Sequence, residues 1–79
     1  MNNIYNEDYI ELVTRLRVSR KNKGVTQKEL ANRLNVHQSF ISKVENCERK
    51  LDVLEFFEWA RALNVPWKEL ILNKYLDEE

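Results

Sequence analysis

Seventy-nine residues, 43% apolar and 33% charged, suit one small domain with a single core and argue against a disordered chain. One Gly and one Pro leave little punctuation for a β-rich fold, and a lone Cys47 can close neither an internal disulfide nor a Cys-rich zinc site. The net charge of zero hides a segregation: residues 1–13 carry −3, residues 14–50 carry +7 and residues 51–79 carry −4, a basic middle between acidic ends that suits a polyanionic partner.

A first helix is predicted from about Glu7 to Asn22. Ile10, Val13 and Leu16 lie along adjoining turns, with Leu12 broadening the stripe. Glu7 and Asp8 sit where the helix dipole favours acids, and Arg20, Lys21 and Lys23 where it favours cations. Gly24 is the natural stop, because Gly takes φ > 0 without steric cost. A second helix begins at Thr26, which with Glu29 has the spacing of a capping box. Leu30, Ala31 and Leu34 form its inner face, and Asn35 is the expected left-handed residue of the turn.

A third helix covers about Gln38 to Asn46, with Val36, Ile41 and Val44 inward and Gln38, Ser39, Ser42 and Lys43 outward. Asp52 is placed to cap a fourth helix, about Val53 to Leu63, whose expected buried stripe is Leu54, Phe57, Ala60 and Leu63, with Leu51 beneath. Asn64 reads as its stop. Pro66 suits the first turn of a fifth helix, about Pro66 to Tyr75, with Val65, Leu70 and Ile71 inward. The acidic tail 76–79 is expected to fray. The expectation is therefore one all-α domain, residues 1–79, folded as a compact five-helix bundle.

Residues 26–46 carry the functional signal. Two short amphipathic helices joined by a brief turn form a helix-turn-helix, whose second helix can enter the major groove of DNA. The pattern resembles the phage Cro and CI repressor-like family, often called XRE. It rests on Arg20, Thr26-Gln27, Leu30-Ala31, Asn35-Val36, Gln38, Ile41-Ser42, Val44-Glu45-Asn46 and the later ALNVPWKELI, and it covers roughly residues 10–72. Two departures are Asn35 and Cys47, which stand where the family commonly has Gly.

The resemblance implies a lambda repressor-like DNA-binding fold and a set of site residues. Gln38 would read a base, commonly adenine, because its amide offers a donor and an acceptor at matching spacing. Ser39, Ser42 and Lys43 occupy the remaining groove-facing positions. Phe40 has two readings, a thymine methyl contact or packing on the flank of the domain. Gln27 would bond a phosphate and brace Gln38. His37, at the start of the third helix, is either a phosphate contact or a plain polar cap. Asn46, Arg49 and Lys50 follow the recognition helix, where the family meets the phosphate backbone. Arg20 and Glu45 resemble the family's structural ion pair.

The expected function is a sequence-specific transcriptional regulator that binds an inverted-repeat operator on double-stranded DNA as a dimer. A phage-type repressor and a restriction-modification controller both fit. Trp67, Ile71, Leu72 and Tyr75 are the expected homodimer interface, because the C-terminal part offers more large apolar groups than a small domain hides. The alternative is an antitoxin-like subunit that engages a protein partner through its acidic C-terminal helices. An enzyme fits poorly: His37 and Cys47 sit at opposite ends of one helix, about 15 Å apart at the standard rise, and no metal-ligand spacing or phosphate-binding loop is present. No cofactor or metal is expected. The lone cysteine suits a reducing cytoplasm, the short apolar runs argue against a membrane span and the N-terminus lacks the basic-then-apolar order of a secretory signal; the resemblance implies a bacterial cytoplasmic protein, nucleoid-associated when bound.

Overall fold

The computed structural model describes residues 6–76. Within them the chain forms α1 (Glu7–Asn22), α2 (Gln27–Leu34), α3 (Gln38–Glu45) and α4 (Val53–Leu63), then two single 3-10 turns, Trp67–Glu69 and Asn73–Tyr75. There is no strand among the described residues. The acidic ending at 77–79, expected to fray, lies outside them, as do residues 1–5 of the N-terminus.

Local side-chain chemistry sets each helix start. Asn6 accepts the Tyr9 amide at 3.0 Å, Thr26 accepts that of Glu29 at 3.0 Å, and Asp52 accepts that of Glu55 at 2.7 Å. Only the last is a complete capping box, because Glu55 returns a bond to the Asp52 amide at 3.0 Å. The box expected at Thr26 is half formed; the Glu29 carboxylate turns instead to Arg33, one turn along, at 2.8 Å.

The four helix ends share one device. Gly24, Asn35, Cys47 and Asn64 all take positive φ, between 58° and 72°. Each donates its amide three residues back, and the next residue donates five back, as in Val25 to Arg20 and Val36 to Ala31. These paired bonds satisfy carbonyls that a helix end leaves open.

The core is built from Val13, Leu16, Val25, Leu30, Ala31, Ile41, Val44, Phe56, Trp59, Ala60, Leu63 and Leu70. α2 packs on α3 and α4, and α1 lies against α3 and α4. Small Ala31 and Ala60, both buried, stand on the two helices that meet there. Val36 and Ile10, expected inward, are exposed near the rim of this core.

Two expectations about the C-terminal half are corrected. The buried stripe of α4 is Phe56, Trp59, Ala60 and Leu63, while Leu54 stays 72% exposed and Phe57 37%. Glu55, Glu58 and Arg61 share one face of VLEFFEWARAL, and a 3.6-residue period places Phe56, Trp59, Ala60 and Leu63 opposite them, whereas a stripe at every third residue from Leu54 drifts round the helix. Burial of the largest group, Trp59 at 0% exposure, matches that placement.

The fifth helix is not a helix. Its amides bond three residues back rather than four, Glu69 to Pro66 and Leu70 to Trp67 at 3.0 Å and Tyr75 to Leu72 at 2.9 Å, and the Ile71 carbonyl accepts Arg15 of α1 at 3.1 Å. Leu72 is extended and separates the two 3-10 turns. The domain is thus all-α, with four α-helices among the described residues rather than five.

The second 3-10 turn is clasped to α1. The Tyr75 hydroxyl donates to Asp8, and the Lys74 ammonium meets the same carboxylate at 2.9 Å. The Tyr75 hydrogen bond, then that of Lys74, hold the Asp8 carboxyl below its ordinary value. A carboxyl depressed by folding contributes above its unfolded pKa and loses that contribution as pH falls through the folded one. The clasp should therefore loosen on acidification below about pH 3.9, the ordinary aspartate value. An acid titration should move the Tyr75 ring resonances in that window in the native chain and not in Asp8→Asn; identical curves would show that Asp8 does not govern the clasp.

Cys47 supplies a stability test. A side chain in the left-handed region costs roughly 1–2 kcal/mol, and glycine's extra unfolded freedom returns about 0.5–1 kcal/mol of that. Cys47→Gly should stabilise the domain by about 0.5–1 kcal/mol, a rise of roughly 2–8 °C in Tm. A thermal melt that stays put or falls would mean that the Cys47 side chain contributes packing the backbone geometry does not reveal.

Candidate nucleic-acid interface

α3 presents Gln38, Ser39 and Lys43 to solvent, with Ser42 half-buried. Its opposite side, Ile41, Val44 and Glu45, is sealed against the core. An eight-residue helix with one polar face outward and one apolar face anchored is a rigid probe.

The outward face is tied to the core through a line of hydrogen bonds. The Gln38 amide reaches the Gln27 side-chain oxygen at 3.5 Å, a long contact. Gln27 in turn donates its amide to Glu45 Oε1 at 3.0 Å. Arg20 grips the same carboxylate in a fork, Nε to Oε2 at 2.7 Å and Nη2 to Oε1 at 3.0 Å, and its third arm bonds the Val25 carbonyl at 2.8 Å. Arg20 and Glu45 are each only 7% exposed. Every arm of this buried pair therefore meets a partner, which is what makes removal of two charges from water tolerable.

His37 lies at the N-cap position of α3 with extended backbone, exposed, and its imidazole makes no cap bond. Asn46 is the exposed C-cap, and Lys50 is exposed beyond it. Lys28, Lys43 and Lys50 make no ion pair among the described residues, so their charge is available to a polyanion.

Two members of the predicted site stand differently. Phe40 is turned to the flank, 6.0 Å from the Trp59 ring at a tilted angle, and packs against the core. In the free domain the ring packs on the flank and stays half-buried. Arg49 is engaged within the chain: Nη1 and Nη2 fork onto Glu55 at 3.0 and 3.2 Å, Nη1 also bonds the Lys50 carbonyl at 2.7 Å, and the guanidinium lies 4.5 Å over the Phe40 ring. Arg49 holds the Glu55 carboxyl below its ordinary value, and the backbone amide of Asp52 adds to this.

Sequence reasoning missed Glu55 and Tyr9. The Tyr9 hydroxyl accepts the Leu51 amide at 3.0 Å and faces the Arg49 carbonyl at 3.5 Å, so α1 holds the loop that follows α3. Asp52-x-x-Glu55 is a capping-box signal that local inspection could have found. Nothing local marks Tyr9, which lies 42 residues before Leu51.

Among the residues expected at a dimer interface, Trp67 is 40% exposed, with its edge against Phe57 at 5.6 Å, and Tyr75 is 63% exposed. Ile71 and Leu72 are half-buried, Ile71 against the core.

With this geometry in view, the likeness to known proteins is specific. The helix-turn-helix family pattern matches residues 16–70, most of the chain. The chain belongs to that family. An uncharacterised HTH-type transcriptional regulator of Sinorhizobium fredii is 36% identical over 52 residues, which cover 66% of this chain and 68% of the relative. Among solved structures, an XRE-family like protein from Pseudomonas syringae pv. tomato matches with a TM-score of 0.80 and 45% identity, over 84% of this chain and 80% of that one. The restriction-modification controller protein C.AhdI from Aeromonas hydrophila matches with a TM-score of 0.76 and 29% identity, over 84% of this chain and 100% of that one. This is a DNA-binding helix-turn-helix regulator of transcription, of XRE type. The family is a class of regulators and not of enzymes. No helix among the described residues is long and apolar enough to cross a membrane.

The buried pair sets an energetic prediction. Arg20→Ala would strand the Glu45 carboxylate in the core and should cost about 3–5 kcal/mol. Arg15 pairs with Glu11 on the open side of α1 and gives one further bond to the Ile71 carbonyl, neither of which buries a charge, so Arg15→Ala should cost at most about 2 kcal/mol. Chemical denaturation of the two variants gives both numbers, and equal losses would remove Arg20 from its anchoring role.

Proposed function

We propose that the chain binds a short inverted-repeat operator as a homodimer and controls transcription by blocking polymerase or recruiting it. The observation that carries this reading is Gln38: an exposed amide at the first position of an outward-facing helix, in line with Gln27, Glu45 and Arg20. In the major groove such an amide pairs with the adenine edge through one donor and one acceptor. Ser39, Ser42 and Lys43 would complete the reading face. Gln27, His37, Asn46 and Lys50 would meet phosphates, which set register and supply the salt-dependent part of affinity.

One eight-residue helix reads only a few base pairs, so useful specificity calls for two half-sites. A twofold dimer through Trp67, Ile71, Leu72 and Tyr75 would carry two copies of α3 about 34 Å apart, one turn of DNA. The resemblance to a restriction-modification controller makes a controller role a natural candidate beside that of a phage-type repressor. A second reading, docking of a protein partner on the acidic C-terminal half, is favoured by Val53 and Leu54, two large apolar side chains left exposed at the start of α4.

Selection from random duplex DNA should enrich an inverted repeat with half-sites about one turn apart. Gln38→Ala combined with Lys43→Ala should weaken binding to the enriched duplex by about 30-fold or more, since each lost base contact costs about 1–3 kcal/mol. Failure to enrich any duplex, with a partner complex that the double variant leaves intact, would favour the protein-docking reading.

A further inference from the structure

We propose that Arg49, although it sits in the basic loop beyond the recognition helix, is a positioning residue that sets the pose of α3 and is not a phosphate ligand. The inference rests on the DNA-binding reading and deepens it.

Three observations converge on Arg49. Its guanidinium is neutralised: two nitrogens fork onto the Glu55 carboxylate at 3.0 and 3.2 Å, in the parallel geometry that suits a guanidinium. A phosphate approaching this group would meet the carboxylate as well, so the pair offers little net attraction. Second, the guanidinium plane covers the Phe40 ring at 4.5 Å, within cation–π range. Phe40 lies on α3 between Ser39 and Ile41, and its ring also stands 6.0 Å from that of Trp59, which is wholly buried. Arg49 therefore closes a stack that runs from solvent through α3 to α4. Third, the backbone around Arg49 is itself held: its carbonyl faces the Tyr9 hydroxyl, the next carbonyl is bonded by the Arg49 side chain at 2.7 Å, and the Leu51 amide donates to Tyr9 at 3.0 Å. Glu55 is fixed in turn by the Asp52 amide at 3.0 Å.

The consequence is a division of labour in one loop. Lys50, exposed and without an ion pair among the described residues, brings charge to the backbone of DNA. Arg49, its neighbour, holds Phe40 and so holds Ser39, Ser42 and Lys43 at a fixed angle to the base edges. A phosphate ligand and a positioning residue differ in what salt does to them. Losing a phosphate contact lowers affinity for every sequence and reduces the salt slope by about 0.9. Losing a positioning residue lowers affinity for the cognate sequence and leaves the slope alone.

The test compares Arg49→Lys, which keeps the charge but loses the fork and the planar face, with Lys50→Ala. Each is titrated across a salt series onto two labelled duplexes, the one enriched by selection and a scrambled one. Amide hydrogen exchange in α3 is followed without DNA. Arg49→Lys should lose about tenfold on the enriched duplex and less than about twofold on the scrambled one, with an unchanged salt slope, and should speed exchange at residues 40–44. Lys50→Ala should lose affinity equally on both duplexes, with a slope smaller by about 0.9. If Arg49→Lys matches the native chain on both duplexes while Arg49→Ala lowers the slope, the residue is a phosphate ligand and the proposal fails. Unchanged exchange in α3 overturns it as well. Should the native chain bind neither duplex, the DNA reading itself falls, and the exchange measurement still decides whether Arg49 pins the helix.

Discussion

One buried carboxylate organises this domain. Glu45 accepts the forked guanidinium of Arg20 from α1 and the side-chain amide of Gln27 from α2, while itself closing α3. Three helices meet at two oxygen atoms. The attraction of opposite charges does not by itself justify such a site, because stripping water from both ions costs several kcal/mol. What makes it tenable is complete satisfaction: the fork fills both oxygens and the remaining Arg20 arm finds the Val25 carbonyl. Apolar packing tolerates small slides of one helix over another, whereas a bidentate ion pair admits one arrangement. The angle of α3 to the rest of the bundle is therefore a property of hydrogen-bond geometry as much as of side-chain volume.

The outward chemistry inherits that constraint. Gln38 stands one step from Gln27, and Gln27 one step from Glu45. At the flank of the same helix, Phe40 meets both Trp59 and Arg49. α3 is thus fixed twice, once by polar contacts on its inner side and once by an aromatic stack on its flank. The wide separation of partners in sequence, 25 residues for Arg20 and Glu45 and 19 for Phe40 and Trp59, means that both anchorages exist only in the assembled domain.

What could be read from the chain alone was local in origin. The limits of α1, the caps at Thr26 and Asp52, and the left-handed Asn35 and Asn64 follow from side chains that act within a few residues of themselves. The two helices of residues 26–46 were legible for the same reason. The register of α4 was legible too, since Glu55, Glu58 and Arg61 mark one face and Phe56, Trp59, Ala60 and Leu63 lie opposite; Leu54 and Phe57 misled because they are large apolar groups within or beside the charged arc. The segment after Pro66 reads as helix in sequence but folds as two 3-10 turns, and its contacts are long-range: Arg15 bonds the Ile71 carbonyl from 56 residues away, and Asp8 draws in Lys74 and Tyr75. At the candidate interface the residue types were visible, yet whether a basic residue is spoken for depends on long-range pairing. Nothing in the spacing of Arg49 separates it from Lys50; only the folded loop does.

The shared design of the helix ends has a consequence for recognition. With a single glycine in the whole chain, the reversals after α2, α3 and α4 are made by Asn35, Cys47 and Asn64, residues with restricted backbone freedom even when unfolded. Turns of this kind are stiff hinges. On the proposed operator-binding reading, a motif framed by them would reach its target already shaped, with little motion left to freeze on contact, and discrimination between sequences would fall to fit rather than to accommodation.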